Sequence, residues 1–313
     1  MSKTTNKNFK IFLAGHNGLV GSSILRRLKF HGFKNVITAN RSNLDLRDQK
    51  LVEKFFKKLK PNVVINAAAT VGGIYANNRY KAEFIYNNLA IQTNIIHSAY
   101  LYNVKNLIFL GSSCVYPKKC KQPIKEDYLL DGKLEKTNEP YAIAKIAGIK
   151  MCEHYSKAYN LNYKSLMPPN LFGPNDNYNL QNSHFYPALI KKIHNAKNRN
   201  KKKLILWGSG KPKRELMFVY DFADAVIYFM NVKIKEPFLN IGIGKDYSIK
   251  WFAEFIMKQL KVKLKIEYDK SKPDGVFRKC LNIDRAKRYG WKPNNNFDNA
   301  FKITYQHFLK KKA

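Results

Sequence analysis

The sequence has few acidic residues and few cysteines, and it has no long apolar run. Without a stretch of about 18 consecutive apolar residues, a transmembrane helix is not expected. No apolar signal-peptide core follows the first residues, so we expect a cytoplasmic protein that does not associate with membranes. The cysteines show neither a pairing pattern nor metal-ligand spacing, so we expect free thiols and no metal site. They are Cys114, Cys120, Cys152 and Cys280.

The scarcity of acids leaves 22 acidic residues against 57 basic ones and a formal net charge of +35. Such a charge favours nucleic acid or an anionic surface as a partner. The lysines, however, are spread over nearly every segment, together with abundant asparagine, isoleucine and tyrosine. We interpret the charge as a compositional bias, and we expect no specific nucleic-acid partner.

The first half alternates short apolar runs with amphipathic helical patterns, which is typical of βαβ units. The pattern predicts an α/β fold: a doubly wound, Rossmann-type parallel sheet with a crevice at the carboxyl ends of its strands. The predicted strands are Lys10–Ala14, Asn35–Ala39, Val63–Asn66, Leu107–Leu110 and Tyr163–Met167. The predicted helices are Leu19–Phe30, Gln49–Leu59, Tyr86–Tyr102 and Tyr141–Tyr159.

The second half is less regular and begins with an asparagine- and proline-rich loop, Asn170–Gln181. We expect a Rossmann domain at 1–168, to which segments near 216–243 return, and a smaller C-terminal substrate-binding lobe at 169–313. Its predicted strands are Leu204–Trp207, Leu216–Val219 and Lys261–Tyr268, and its predicted helices are Asp221–Asn231 and Lys250–Leu260.

A glycine-rich turn joins the first predicted strand to the first predicted helix. Gly15 allows a tight turn, Gly18 lets the backbone approach a pyrophosphate, and Gly21 lets the helix pack closely on the strand. The helix N-terminus then faces an anion with free N–H groups. We expect the whole turn to bind a dinucleotide: Gly15, His16, Asn17, Gly18, Leu19, Val20 and Gly21.

The end of the second strand carries Arg41 and no acid, where NAD-specific proteins usually place an acid. A guanidinium suits the 2′-phosphate of NADP, because it is permanently charged and can bind in a bidentate manner. The sequence therefore favours NADP(H) as cofactor, and the alternative that Arg41 is one more surface cation stays open.

A tyrosine and a lysine four residues apart lie near the start of a predicted helix, hence on one face. Tyr141 could donate a proton to the alkoxide formed by hydride addition to a ketone, if its pKa falls from about 10 toward neutrality. The ammonium of Lys145 and the positive nicotinamide ring could supply the charge for that shift, and Ser112, just after a strand, could hydrogen-bond the carbonyl.

Several stretches resemble the GDP-L-fucose synthases, a family of extended short-chain dehydrogenase/reductases with a GxxGxxG turn. The resemblance runs from about Lys10 to Leu309. The stretches that show the resemblance are Val71-Gly72-Gly73-Ile74, Gly111-Ser112-Ser113-Cys114-Val115-Tyr116-Pro117, Thr137-Asn138-Glu139-Pro140-Tyr141-Ala142-Ile143-Ala144-Lys145-Ile146-Ala147-Gly148, Asn182-Ser183-His184, Trp207-Gly208-Ser209-Gly210 and Lys272-Pro273-Asp274-Gly275.

The resemblance implies conversion of GDP-4-dehydro-6-deoxy-D-mannose to GDP-L-fucose, by epimerisation at C3 and C5 and then NADPH-dependent reduction at C4. It implies that Cys114 is the base, that His184 is the acid, and that the helices at Tyr86–Tyr102 and Tyr141–Tyr159 form a homodimer. The further implied cofactor residues are Leu110, Gly111, Ser112, Ser113, Lys145, Pro168, Asn170, Leu171 and His184. The implied substrate residues are Lys192, Trp207, Arg214, Asp274 and Lys279.

The chain departs from the family pattern at Asn17, Pro169, Phe218 and Tyr220. Two alternatives remain: another NDP-sugar 4-epimerase, reductase or 4,6-dehydratase of the same superfamily, or a non-catalytic dinucleotide sensor. An acidic pair after Ser112, common in the dehydratases, is missing here. A sensor often loses the tyrosine or the lysine, and this chain has both.

Overall fold

The main feature of the computed structural model is a six-stranded parallel sheet. The structure describes residues 6–180, 183–271, 274–294 and 296–311. Gln181, Asn182, Lys272 and Pro273, which belong to the predicted loop or to stretches of the resemblance, lie outside these ranges. The strands are β1 (Ile11–Ala14), β2 (Val36–Ile37), β3 (Val63–Asn66), β4 (Asn106–Leu110), β5 (Asn162–Met167), β6 (Asn170–Phe172), β7 (Lys203–Trp207), β8 (Lys213–Arg214), β9 (Leu216–Phe218), β10 (Phe238–Asn240), β11 (Tyr247–Ser248), β12 (Lys265–Asp269) and β13 (Arg278–Lys279).

The strand order of the large sheet is β10-β5-β4-β3-β1-β2. The chain moves outward from β1 to β2 and then crosses to β3 on the other side. This reversal opens a crevice at the carboxyl ends of β1 and β3, where ligands bind in doubly wound sheets. The strands β1 and β3 are buried along their whole length, as expected when helices cover both faces.

Helices pack on both faces of this sheet, which confirms the predicted fold class. Helices α1 and α7 contribute to the core on one face, and α2, α4 and α5 contribute to the core on the other. The helices are α1 (Leu19–Phe30), α2 (Gln49–Leu59), α3 (Ile74–Arg79), α4 (Lys81–Leu101), α5 (Glu139–Tyr159), α6 (Phe185–Asn198), α7 (Val219–Asn231), α8 (Ile249–Gln259), α9 (Asp284–Arg288) and α10 (Phe297–Lys310).

The predicted bounds of α1, α2 and β3 are confirmed, while those of several other elements differ. Helix α4 begins five residues before the predicted start, and α7 begins at Val219 instead of Asp221. The predicted loop Asn170–Gln181 is wrong at its start, because Asn170–Phe172 forms β6 and pairs with β9. The partner strand lies more than 40 residues along the chain, so the local asparagine- and proline-rich composition gave no sign of this strand.

Later segments build a second core that is rich in aromatic residues. Phe172, Tyr186, Phe252 and Phe301 pack together between β6, α6, α8 and α10. Phe218, one of the departures from the family pattern, joins this core with its ring centroid 5.6 Å from that of Phe172 and 4.9 Å from that of Tyr220. These aromatic departures therefore extend an existing cluster. Strand β10, in contrast, belongs to the large sheet, beside β5.

Among the described residues, no helix combines the length and the apolar character needed to cross a bilayer.

Candidate active site

The glycine-rich turn is shaped by contacts that leave no room for side chains. Gly15 has φ +82°, and a Cβ there would lie 2.6 Å from the backbone nitrogen of Ala68. A Cβ on Gly21 would lie 2.1 Å from the carbonyl oxygen of Gly15. Helix α1 begins after Gly18 with no side-chain cap, so its first N–H groups point toward the crevice. The turn therefore fits the phosphates of a dinucleotide.

Asn17, in the middle of this turn, lies beside the residues that follow β2. Asn17 donates a hydrogen bond from Nδ2 to Oδ1 of Asn40, 3.1 Å away. Arg41 follows, and its side chain is 73% exposed, with Nε 3.6 Å from a carboxylate oxygen of Asp45. Asp45 contacts Arg47 more closely, and that hydrogen bond holds the pKa of Asp45 well below its usual range. Arg41 thus keeps most of its guanidinium in solvent beside the turn.

Two segments that are distant in sequence meet at the carboxyl ends of β4 and β5. The N–H of Gly111 donates to the carbonyl of Leu166 at 3.0 Å, and that of Ser113 donates to the carbonyl of Pro168 at 3.1 Å. A Cβ on Gly111 would lie 2.3 Å from Sδ of Met167. The expected cofactor residues of both segments, from Leu110 to Ser113 and from Pro168 to Leu171, therefore lie side by side.

The expected reductase side chains meet at the same edge. The side chains of Ser112 and Cys114 both lie close enough to the phenol of Tyr141 to act on its pKa. Oγ of Ser112 also accepts the N–H of Cys114 at 3.2 Å, which begins the 3₁₀ turn Ser113–Val115. The structure thus brings a phenol, a hydroxyl and a thiol together.

Lys145 is buried and donates from Nζ to the carbonyl of Leu110 at 2.8 Å, with Nζ 5.8 Å from the ring centroid of Tyr141. Burial lowers the pKa of Lys145 to about 7. The pKa of Tyr141 is raised, mainly by burial and then by the charge of Cys114, while its bond to Ser112 opposes the shift. Burial of the phenol thus moves its pKa away from neutrality in the chain alone, and the lowering by Lys145 together with the nicotinamide ring stays a prediction.

The cation beside the thiol is Lys279, not Lys145. Nζ of Lys279 lies 3.9 Å from Sγ of Cys114, and both side chains are half-buried. This contact places an ammonium group directly against the thiol. Lys279 was expected to bind substrate, and the structure adds this contact with the expected base.

His184 lies at the N-cap of α6 and its side chain caps no backbone N–H. The residue is exposed in the cleft, yet the surrounding protein atoms lower its pKa by desolvation. Among the described residues, its side chain forms no hydrogen bond with Cys114 or Tyr141, so the structure does not by itself join the expected acid to the expected base.

The expected substrate residues fall into two groups. Arg214 and Lys279 line one small pocket with Ser113 and Asn170, so they adjoin the cofactor edge. The other group lies on the lobe: Nζ of Lys192 is 5.0 Å from the ring centroid of Trp207.

Asp274 belongs to the second group. Its carboxylate accepts the N–H of Ser209 at 2.8 Å and the hydroxyl of Ser209 at 2.6 Å. These two bonds hold Asp274 against the turn at Ser209.

The small pocket also contains Glu215, which the sequence analysis missed. The only sequence signal was an acid that directly follows Arg214 in a chain with few acids. A larger pocket, lined by Lys57, Lys60 and Lys105, lies at the amino ends of β3 and β4. It contains none of the expected site residues.

A glycine turn at a β–α junction, with a tyrosine, lysine and serine at the neighbouring strand ends, defines the class of dinucleotide-dependent oxidoreductases and epimerases. A model of the NAD dependent epimerase/dehydratase family matches residues 11–242. GDP-L-fucose synthase of Escherichia coli is 45% identical over 96% of this chain and 96% of its own length. GDP-L-fucose synthase 1 of Arabidopsis thaliana is 46% identical over 99% of this chain and 96% of its own length.

Among solved structures, MlghC, a GDP-mannoheptose C4 reductase from Campylobacter jejuni with NADP bound, is similar with a TM-score of 0.89 and 36% identity. The similarity covers 97% of this chain and 99% of that chain. The chain thus belongs to the NAD-dependent epimerase/dehydratase family and, within it, to the GDP-L-fucose synthases.

Proposed function

We propose that the chain converts GDP-4-dehydro-6-deoxy-D-mannose to GDP-L-fucose in two stages, epimerisation at C3 and C5 followed by NADPH-dependent reduction at C4. The names of its relatives and the NADP bound to MlghC support this substrate and cofactor. The observation that carries the proposal is the meeting of Ser112, Cys114 and Tyr141 at one strand end, because it unites a reductase acid with a basic thiol.

Epimerisation uses the acidity of the protons on carbons next to the C4 ketone. The thiolate of Cys114 removes a proton from C3 or C5, and the electrons of the broken C–H bond move to O4 as an enolate. His184 donates a proton to the opposite face, the ketone re-forms, and the centre is inverted. Desolvation lowers the pKa of His184, which makes its imidazolium a better proton donor. Solvent returns the two groups to their starting protonation states.

Reduction uses the hydroxyl groups of Tyr141 and Ser112. Ser112 donates a hydrogen bond to O4, and Tyr141 gives its proton to O4 as the C4–H bond forms, which leaves a neutral hydroxyl. Because the pKa of Tyr141 is raised, the phenol is protonated before this step. NADPH supplies the hydride when bound, and we propose that the glycine turn, Arg41 and the ends of β4 and β5 hold it.

The two stages can be separated by substitution. We expect Tyr141→Phe to lower NADPH oxidation about 10²–10⁴-fold, because it removes the proton donor. It should still incorporate deuterium at C3 and C5 when the ketone substrate is incubated in D₂O without NADPH. Cys114→Ser and His184→Ala should each lose that deuterium incorporation. Absorbance at 340 nm reads the reduction, and NMR of the recovered sugar reads the exchange.

Cys120→Ser is the matched control, since Cys120 is also a half-buried free thiol. It should keep both activities. Exchange at the wild-type rate in Cys114→Ser would remove this thiol from the mechanism. Consumption of NADPH with no exchange in the wild type would instead favour a simple C4 reductase, the activity named for MlghC.

We also propose that 1–168 and the segments near 216–243 form the cofactor domain, that the lobe at 169–313 binds substrate, and that the chain forms a homodimer. The exposed apolar side chains on α4 and α5, Tyr86, Leu101, Ile143 and Tyr159, support the homodimer. The cytoplasmic location stays a prediction.

A further inference from the structure

Glu215 is a buried carboxylate with an unusual set of partners. Its residue is 1% exposed. One carboxylate oxygen accepts the N–H of Ile243 at 2.6 Å and the N–H of Gly244 at 2.8 Å, and the other accepts the N–H of Leu281 at 2.6 Å. These donors come from two segments that are far apart in sequence. The side chain therefore ties the connection after β10 to the segment after β13.

The main chain of Glu215 contacts the same region. Strands β8 and β13 run parallel, with Lys279 opposite Arg214, and the N–H of Glu215 donates to the carbonyl of Lys279 at 3.0 Å. Its carboxylate then holds the N–H of Leu281, two residues further on. Strand β13 is only two residues long, so bonds from outside it fix its position. Glu215 supplies these bonds together with Asp246, which binds the guanidinium of Arg278, and Gln122, which accepts the N–H of Cys280.

The position of β13 matters for the thiol of Cys114. Lys279 brings its ammonium to 3.9 Å from Sγ of Cys114. The other group known to face this thiol is Tyr141 from α5, whose phenol is protonated and carries no opposing charge. Cys120 also lies within the field of Lys279. The ammonium of Lys279 is thus a positive charge in contact with this thiol, and its place depends on β13.

We propose that Glu215 is a positioning residue, which fixes Lys279 beside Cys114 and thereby keeps a positive charge against the thiol that abstracts the proton. The proposal rests on the proposed function in that it takes Cys114 to be the base. A carboxylate is suited to this task because both of its oxygens only accept hydrogen bonds. An amide at the same place would turn an N–H₂ group toward at least one of the three backbone donors.

Alkylation of Cys114 tests the proposal without substrate or cofactor. The rate of reaction with iodoacetamide is measured against pH by mass spectrometry of the tryptic peptide 106–118, in which Cys114 is the only cysteine. We expect Lys279→Met to raise the midpoint of this profile by about one pH unit, as loss of a charge at about 4 Å predicts. Glu215→Gln should raise it in the same direction, and the double variant should shift it no further than Lys279→Met alone.

Glu53→Gln, which changes a half-buried carboxylate on α2 far from this site, is the control and should leave the midpoint unchanged. If Glu215→Gln does not fold, Glu215→Asp serves in its place, because it keeps the charge but is one methylene too short to reach all three donors. A folded Glu215 variant with the wild-type midpoint would overturn the proposal, as would additive shifts in the double variant.

The two proposals fail in different ways. Wild-type protein that incorporates no deuterium at C3 and C5 contradicts the proposed function, whatever the alkylation profile shows. Wild-type exchange together with an unchanged Cys114 midpoint in Glu215→Gln contradicts only the positioning role.

Discussion

The glycine turn of the large sheet and the substrate side of the lobe place their functional groups by different means. In the turn, the residues from Gly15 to Gly21 are consecutive, and their shape comes from backbone packed against backbone. In the lobe, Arg214 and Lys279 are 65 residues apart and become neighbours only through the pairing of two short strands. The first arrangement is local and rigid, whereas the second depends on hydrogen bonds between distant segments.

This difference shows why a mutation of the same kind should have unequal effects in the two regions. Backbone atoms in the turn cannot move without displacing β1 and α1. An exposed side chain that supports the lobe, such as Asp274, can rotate or lose one partner while the fold persists. We therefore expect substitutions in the turn mainly to lower the stability of the fold. Substitutions in the lobe should mainly change the substrate site.

The largest effect should come from Gly21→Ala. The added Cβ would lie 2.1 Å from the carbonyl oxygen of Gly15, so helix α1 has to move away from β1. We expect a loss of about 3 kcal/mol in the free energy of unfolding, which is the upper part of the usual range for overpacking. Urea denaturation measures the loss, and NADPH affinity, measured by cofactor fluorescence, should fall with it.

Gly18→Ala is the matched comparison, because its nearest neighbour would be a backbone oxygen at 3.7 Å, an ordinary contact. It should change the free energy of unfolding little. If Gly21→Ala were as stable as Gly18→Ala, the rigid description of the turn would be wrong.

A smaller effect is expected for Gly208→Ala in the lobe. Gly208 has φ +68°, and its added Cβ would lie 2.2 Å from Oδ1 of Asp274, a side-chain atom that can move. The left-handed backbone costs about 1–2 kcal/mol for a residue with a side chain. We expect a loss of this size by urea denaturation, together with weaker binding of GDP-sugar by calorimetry.

Gly32→Ala isolates the backbone term, since Gly32 has φ +81° and nothing lies within 4 Å of its added Cβ. It should match Gly208→Ala in stability but leave GDP-sugar binding unchanged. If Gly208→Ala and Gly32→Ala bind GDP-sugar equally well, the contribution of Asp274 to binding does not depend on the shape of the turn at Gly208.

The change that is smallest per step is a pH dependence that concerns the buried charges of the two regions. Burial lowers the pKa of Lys145 to about 7, below its ordinary value in the unfolded chain. Above pH 7 the unfolded chain therefore binds a proton that the folded chain has lost, so stability rises with pH. Relative to Lys145→Met, the wild type should gain about 1 kcal/mol per pH unit between pH 7.5 and 9.5.

Thermal unfolding of the ligand-free proteins measures this gain as a shift of a few degrees in the difference between their Tm values. Parallel Tm curves would mean that Lys145 titrates normally in the folded chain. Burial raises the pKa of Glu215 to about 7 by the same desolvation, but three backbone N–H donors oppose that shift. Glu215 in the lobe thus has three backbone partners for its buried charge, whereas Lys145 in the large sheet binds the carbonyl of Leu110.

The parts of the fold that could be predicted are those with a local physical cause. Helix α1 and the turn before it follow from an apolar strand, spaced glycines and an amphipathic pattern within twenty residues. Strand β6 could not be predicted, because its partner β9 lies far along the chain. Glu215 was missed for the same reason, since its three backbone partners lie in segments with no sequence relation to it.

The sequence by itself determined the class of fold, the dinucleotide turn and the Ser112, Tyr141 and Lys145 set, because each depends on short-range periodicity or on spacing within one element. Only the tertiary structure decided which cation lies beside Cys114. Lys145 lies on the nearby helix α5, but its ammonium turns to the carbonyl of Leu110, whereas Lys279 arrives from the far end of the chain. Burial likewise set the direction of the pKa of Tyr141, and burial is a property of packing that no local pattern contains.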